Sequence, residues 1–261
     1  MTELDTMRRF ALDLAEAGGA IARRAWLGDL SVRYKADGSA LTQADLDIEA
    51  LWRDRISQAF PDHGILGEEY GAETGASAYT WVLDPVDGTR PFGAGLLNYA
   101  SLISLCRDGV PVLGLIDLPL EGAQVMGLAG QGCTFAGRPV RTSGRAEFAD
   151  AVIALANPES FAPESRAGFT RLQAEGRQRV YDGGSPAYGA LARGLVDVCL
   201  NGDDLDAFDI CALVPLVEGA GGVISDWEGG ALGLASSGRI VASSSPALHD
   251  LVLARLTDEG V

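Results

Sequence analysis

Histidine and cysteine are scarce in this chain, with 2 and 4 copies among 261 residues. His63 stands in a Pro-Asp-His-Gly turn and His249 at the start of a C-terminal helix, neither beside a Ser or Cys in a recognisable nucleophile motif. Both read as surface residues and not as catalytic bases. Cys106, Cys133, Cys199 and Cys211 are far apart and set among apolar neighbours, without the close Cys-x-x-Cys spacing of a zinc site or redox pair. They read as reduced, buried thiols of a cytoplasmic protein.

Long hydrophobic runs are missing too. The longest uncharged stretches, such as Pro91 to Cys106, contain Pro, Gly, Asn and Tyr and fall short of the ~18 apolar residues that span a bilayer, so no membrane segment is expected. The N-terminal segment is acidic from Glu3 onward and lacks the basic-then-apolar order of a secretory signal, which also points to the cytoplasm. Positive charge is in deficit, with 20 Lys+Arg against 36 Asp+Glu and a net charge of −16. A chain so acidic is repelled by a phosphate backbone, which excludes nucleic acid as the expected partner.

What remains is ordinary globular composition, 47% hydrophobic. A chain of this length buries roughly three-quarters of its unfolded surface and needs no disulfide or structural metal to fold. Leu4, Met7, Phe10, Ala11, Leu14, Ala17, Ile21 and Trp26 recur near a period of 3.6, predicting a helix over 3–26 with Thr2 as N-cap. Leu46, Ile48, Leu51, Trp52, Ile56 and Phe60 predict a second helix over 43–60, stopped by Pro61. Lys35 to Ser39 between them is a turn. From 64 to 135 the pattern becomes short apolar runs punctuated by Gly, Pro and Asp, the mark of a substantial sheet. After Arg145, strands around 152–156, 179–181, 196–200, 221–226 and 239–243 alternate with helices around 164–175, 186–193, 207–219 and 246–256. The expected fold class is thus α/β, with an α+β subdomain over 1–142 and an α/β subdomain over 143–261. The Gly127 to Gly132 run follows no βαβ pattern and reads as a hairpin turn, not a dinucleotide loop.

The chemistry is concentrated in Gly67-Glu68-Glu69-Tyr70 and in Trp81-Val-Leu-Asp84-Pro85-Val86-Asp87-Gly88-Thr89. An apolar strand ends in two acids flanking a proline, at the strand end where α/β sites usually lie. At ~4 Å and an effective dielectric of ~20, two like charges repel by about 4 kcal/mol, so converging acids protonate unless cations bridge them. Oxygen ligands without histidine favour Mg²⁺ over zinc. Glu68-Glu69 taken alone fits a solvated turn equally well; acids ending a buried-looking strand do not.

Lys35-x-Asp-Gly-Ser-x-Leu-Thr42-x-x-Asp45, Gly67-Glu68-Glu69, Asp84-Pro-Val-Asp-Gly-Thr89, Phe208-Asp209 and Glu218-Gly-Ala-Gly-Gly222 together resemble the inositol monophosphatase family, in the family's order and over nearly the whole chain. The resemblance implies a layered sandwich of alternating helix and sheet layers, a homodimer, and a Mg²⁺-dependent phosphomonoesterase acting on a small-molecule phosphate ester. By the same resemblance Glu68, Asp84, Asp87 and Asp209 supply carboxylate ligands and Val86 a carbonyl to two or three Mg²⁺. Asp45, Glu68 and Thr89 take part in activating the attacking water, and no protein nucleophile is needed. A helix beginning at Gly88-Thr89, with Arg90, would offer backbone N–H groups to the phosphate.

Asp87-Gly-Thr-Arg90-x-Phe92-x-x-Gly95, Ile116-Asp117-x-Pro119 and Asp226-Trp227-Glu-Gly229 resemble the histidinol-phosphatase branch, implying histidinol phosphate as substrate and a place in histidine biosynthesis. Two positions depart from it. Ser185 after Gly183-Gly184 resembles the inositol branch, and Gly202 replaces a glutamate that both branches usually place at the substrate's far end. Ser185 and the acids Asp203, Asp204 and Asp206 are the candidates for that end, because a cationic amine and imidazole would pair with carboxylates. The same acids also fit a solvated loop with Asp206 capping the next helix. Inositol 1-phosphate, or another polyol or sugar phosphate, is the alternative substrate. A metal-dependent regulatory role without catalysis, proposed for some family members, is the alternative of another class.

Overall fold

The computed structural model describes residues 3–28, 30–36 and 38–257; Thr2, the expected N-cap, lies outside them. Helix α1 (Glu3–Trp26) buries Met7, Ala11, Leu14, Ala15 and Ala22 along one face, as its period requires. Helix α2 (Gln43–Ala59) starts in a capping box, in which N-cap Thr42 and Asp45 satisfy each other's backbone N–H, and ends just before Pro61. The Lys35–Ser39 turn is the tip of a hairpin between β1 (Arg33–Tyr34) and β2 (Ala40–Leu41).

The apolar runs then form β3 (Gly64–Gly67), β4 (Gly71–Glu73), β5 (Tyr79–Asp87), the short α3 (Thr89–Gly93), β6 (Ala100–Arg107), β7 (Val110–Leu118), β8 (Ala123–Leu128), β9 (Gly132–Phe135) and β10 (Arg138–Val140). They make one eight-stranded sheet in the order β10-β9-β8-β7-β6-β5-β3-β4. All neighbours are antiparallel except β3 and β5. The Gly127–Gly132 segment is the turn of the β8–β9 hairpin, as its glycines suggested.

The second half comprises β11 (Val152–Leu155), α4 (Arg166–Gln173), β12 (Gln178–Tyr181), α5 (Gly184–Ala192), β13 (Val198–Leu200), α6 (Ala207–Ile210), α7 (Leu213–Gly219), β14 (Val223–Asp226), β15 (Ile240–Ser243) and α8 (Pro246–Thr257). Its five strands run β12-β11-β13-β15-β14, with β11 parallel to both neighbours.

Successive residues of the strands show how the layers stack. On β6, Ile103 and Leu105 join Leu14, Ile48 and Trp52 of α1 and α2. Leu102 points the other way, into a cluster with Tyr188 and Leu191 of α5 and Leu213 and Leu216 of α7. On β11, Ala154 belongs to that same cluster, whereas Ile153 and Leu155 pack with Phe169, Leu172, Leu248 and Val252 of α4 and α8. The order is therefore helix, sheet, helix, sheet, helix. Both sheets are covered on both faces, which is why their strands read as apolar runs and not as polar–apolar alternation.

Three local outcomes differ from the sequence reading. The helix expected over 207–219 is two, α6 and α7, because Pro215 has no N–H to offer the Cys211 carbonyl. His249, read as a surface residue, is 4% exposed, its ring nitrogens bonded to the hydroxyls of Ser225 and Ser243 at 2.9 and 3.2 Å. The short edge strands β4 and β10 are new, too brief to carry an apolar pattern. The four cysteines are buried and free, as expected. Among the described residues no helix is long and apolar enough to cross a membrane.

Gly114 and Gly127 face each other across β7 and β8 and form the bare patch on which the start of α7 rests. A Cβ at Gly114 would run into the Ala212 carbonyl oxygen, and one at Gly127 into that of Pro215. Neither backbone oxygen can swing aside. Gly114→Ala is therefore expected to cost about 1 to 3 kcal/mol and to lower the melting temperature by roughly 2 to 10 °C. An unchanged melting temperature would show that α7 shifts freely on the sheet.

Candidate active site

The end of β5 is built to bend. Its pairing with β6 slips between Asp84 and Asp87, a bulge that turns both acids toward the mouth of the sheet. Ser101 steadies the bulge by donating to the Pro85 carbonyl at 2.6 Å, and the Val86 N–H donates to Asp84 Oδ1 at 3.0 Å. The chain then turns through Gly88, whose φ of 87° is left-handed and suits glycine, and α3 begins at Thr89. Asp209 arrives from the other half as the third residue of α6, where the Asp206 N–H donates to its Oδ2 at 2.8 Å.

One carboxylate oxygen from each of Asp84, Asp87 and Asp209 lies within 4.8 Å of the other two. Asp84 is 1% exposed. Burial first, then the charges of Glu68, Asp87 and Asp209, push its carboxyl well above the usual carboxylate range. Asp209 is pushed the same way by burial and then by Asp87. Burial also raises Asp87, opposed by Ser185, whose N–H donates to Asp87 Oδ2 at 3.0 Å and whose hydroxyl makes a short bond to the same atom. Glu68 stands at the rim beside Glu69, where Lys35 Nζ reaches the two carboxylates at 3.3 and 2.8 Å. Burial, only partly offset by Lys35, lifts the Glu68 carboxyl up to about 7.

Asp45 is fully buried at the first turn of α2. Its carboxylate accepts the Thr42 N–H at 2.9 Å and a short bond from the Thr42 hydroxyl. Thr89 Oγ1 lies 3.3 Å from Asp45 Oδ1 and 3.0 Å from the Val86 carbonyl oxygen. Asp45, Thr89 and Val86 are thus one connected group.

A cleft of about 480 Å³ opens over these acids, lined by Glu68, Asp87, Gly88, Thr89, Arg90 and Asp209. A hollow of about 540 Å³ beside α1 is larger, but Arg23 stands among its acids and, among the described residues, no carboxylate triad converges there. Asn157, Ser160, Asp182, Asn201 and Asp204 also line the cleft. Ser185 is absent from the lining, being turned onto Asp87. Asp203 is also absent: its carboxylate accepts from Ala162 N–H and Ser165 Oγ, both at 2.9 Å, with Arg239 at 3.7 Å. Asp206 caps α6, the alternative its position allowed. Of the three acids proposed for substrate, only Asp204 faces the cleft.

The glycine at 202 has a structural reason. A Cβ there would strike the Ser160 carbonyl, to which the Asp203 N–H donates at 2.7 Å. The turn at Pro158–Ser160 therefore packs directly on residue 202 and brings Asn157 and Ser160 to the cleft. Neither residue carried a local motif. Asn98 and Asp182, joined by an Asn98 Nδ2 bond to the Asp182 carbonyl at 2.9 Å, were equally silent in the sequence.

The sequence profile described as the Inositol monophosphatase family matches residues 3–260. A chloroplastic bifunctional phosphatase of Arabidopsis thaliana is 33% identical, over 98% of this chain and 76% of that protein. A histidinol-phosphatase of Mycobacterium tuberculosis is also 33% identical, over 94% of this chain and 96% of its own. Among solved structures, an inositol monophosphatase from Zymomonas mobilis superposes with a TM-score of 0.89 at 32% identity, covering 98% of this chain and 99% of that one.

An acid whose folded-state pKa lies above its unfolded value holds its proton more tightly in the native state, so stability is lost as pH rises between the two values. For Glu68 that window runs from the ordinary 4.5 to about 7, and Asp84 and Asp209 act in the same direction. The melting temperature in EDTA is expected to fall as pH is raised from about 5.5 to 7.5, and saturating divalent metal to flatten that slope. A metal-free profile that rises over the same range would contradict the electrostatics described.

Proposed function

Because the chain belongs to the inositol monophosphatase family, and is thereby a phosphoric monoester hydrolase of a metal-dependent kind, we propose that it is a Mg²⁺-dependent phosphatase whose substrate is histidinol phosphate. The observation that carries the metal reading is the convergence of Asp84, Asp87 and Asp209 from two halves of the chain to within 4.8 Å. Among the described residues no Lys, Arg or His is ion-paired with these three acids, and an all-oxygen donor set of that kind fits a hard divalent ion. Glu68, Asp84, Asp87, Asp209 and the Val86 carbonyl would hold it, in two or three ions. Bound there, Mg²⁺ would polarise the phosphoryl oxygens, make water a better nucleophile and stabilise the leaving oxygen.

The chain's own groups complete the site. Thr89 Oγ1 can accept from the attacking water while donating to Asp45, whose carboxyl burial raises toward proton affinity. The first N–H groups of α3, at Thr89 and Arg90, would meet the phosphate, and Gly88 keeps side chains out of their way. Ser185 holds Asp87 from the opposite half, so that both halves of the chain fix this acid.

For the substrate's far end, the reading is supported by Asp204 and Asp182, both in the cleft lining. A cationic alcohol phosphate suits two acids better than a neutral one. Inositol 1-phosphate is kept as the second reading because Asn157, Ser160 and Asn201 offer partners for hydroxyls. The buried free thiols suit a reducing cytoplasm; a homodimer working in histidine biosynthesis completes the proposal.

Two variants test this. Asp87→Asn should lower kcat/KM for any phosphomonoester by more than the 10- to 100-fold typical of groups that merely support a ligand, while the EDTA-treated protein melts no lower than wild type. Full activity of that variant in EDTA would end the metal reading. Asp204→Asn should weaken kcat/KM for histidinol phosphate by about 1 kcal/mol, roughly fivefold, as for an exposed ion pair, and leave p-nitrophenyl phosphate unchanged. A tenfold preference of the wild-type enzyme for inositol 1-phosphate would overturn the substrate and leave the metal chemistry standing.

A further inference from the structure

Asp45, Glu49 and Arg53 follow one another at four-residue spacing and so share one face of α2. All three are buried against the sheet, Glu49 completely and Arg53 at 8% exposure. Asp45 belongs to the Thr89 group described above. Glu49 reaches a different part of the site. Its Oε2 accepts the Glu69 N–H at 2.8 Å, and its Oε1 accepts the Tyr70 N–H at 3.1 Å and Arg53 Nε at 2.8 Å. Arg53 continues the chain of contacts, donating to Glu73 Oε1 at 2.9 Å and making a short bond to the Gly71 carbonyl. A buried acid and base thus grip the turn after β3 at Glu69 and Tyr70 and the short β4 at Gly71 and Glu73, immediately beside Glu68. Gly67 makes room for the grip, since a Cβ there would collide with the Glu49 carboxylate.

Such a pair is a poor way to gain stability. Removing two charges from water costs several kcal/mol each, and well-packed apolar side chains commonly serve the fold as well. What the pair supplies is direction: two amides of consecutive residues are fixed on one carboxylate, so the backbone that carries Glu68 has one orientation. We propose that Glu49 is a positioning residue, which holds the Glu68 carboxylate over the acidic triad in readiness for the divalent cation. The inference rests on the reading of Glu68 as a metal ligand. It makes α2 a rail that aligns two parts of the site at once, Thr89 through Asp45 and Glu68 through Glu49.

Glu49→Gln tests it. The amide keeps the shape, but its NH₂ faces N–H donors where the carboxylate had an acceptor, so at least one of the three bonds is lost. Binding of Mn²⁺ to the metal-free protein, followed by the electron paramagnetic signal of the free ion, is expected to weaken by about 10- to 100-fold, the usual effect of a group that orients a ligand. Activity should return at raised Mg²⁺, and hydrogen exchange should accelerate at the Glu69 and Tyr70 amides while the strands of the large sheet stay protected. Should Glu49→Gln fail to fold, Glu49→Asp, which retracts the carboxylate by one methylene and keeps its charge, is read in the same way. A folded variant that binds Mn²⁺ as tightly as wild type would overturn the proposal, whatever its melting temperature. Failure of the wild-type protein to bind Mn²⁺ would instead remove the metal reading itself, a separate and distinguishable result.

Discussion

Carboxylates of like charge held together out of water set the terms for the rest of this molecule. Asp84, Asp87 and Asp209 lie within 4.8 Å of one another, where burial and mutual repulsion both resist ionisation. Two of them, Asp84 and Asp87, come from the end of one strand, and the third from the other half of the chain. Here each acid is fixed by a device belonging to a different element: a bulge in β5 for Asp84, the start of α5 for Asp87 through Ser185, and a capping box in α6 for Asp209. The five stacked layers make those devices rigid, and the bare glycine patch under α7 fixes how far the chain following α6 stands from the large sheet. Fold and site are therefore one problem, with the acidic cleft as the costly part and the layered core as what holds it.

Much of this was legible because it is local. Asp84-Pro-Val-Asp-Gly-Thr89 is a strand that stops in acids and a helix start, and the apolar runs from 64 to 135 have the length and punctuation of strands. Periodicity found α1 and α2 to within a residue or two. What escaped was decided by residues distant in sequence. Asp203 and Asp204 are neighbours, yet one is consumed by Ser165 and the Ala162 amide and the other faces the cleft. Nothing in their flanks distinguishes them. Glu49 reads as an ordinary helix acid until β3 is placed beside it. His249 was misjudged because its two serine partners lie on β14 and β15, in positions no spacing rule connects.

The rest of the cleft lining follows the same logic. Gly202 looks like a lost recognition residue when compared with a family pattern, but the structure gives it a reason in the Ser160 carbonyl packed against it. The loss of one side chain is the condition for a turn to approach, and that turn brings Asn157 and Ser160 to line the cleft. The cleft lining here is thus supplied by a packed turn and by Asp204, where the family pattern usually has a glutamate. Relatives that share about a third of its residues carry different substrate names, consistent with an acidic cluster built from the core and a cleft lining built partly from loops.

If burial and mutual repulsion keep protons on the clustered acids, a divalent cation that binds there must displace them. Titration of Mg²⁺ into EDTA-treated protein by calorimetry, repeated near pH 6.5 in buffers of different ionisation enthalpy, measures the protons exchanged directly. Saturable binding with net proton release is expected at that pH, diminishing at a second pH above the Glu68 value of about 7. Saturable binding without proton exchange at either pH, or no binding at all, would contradict that expectation.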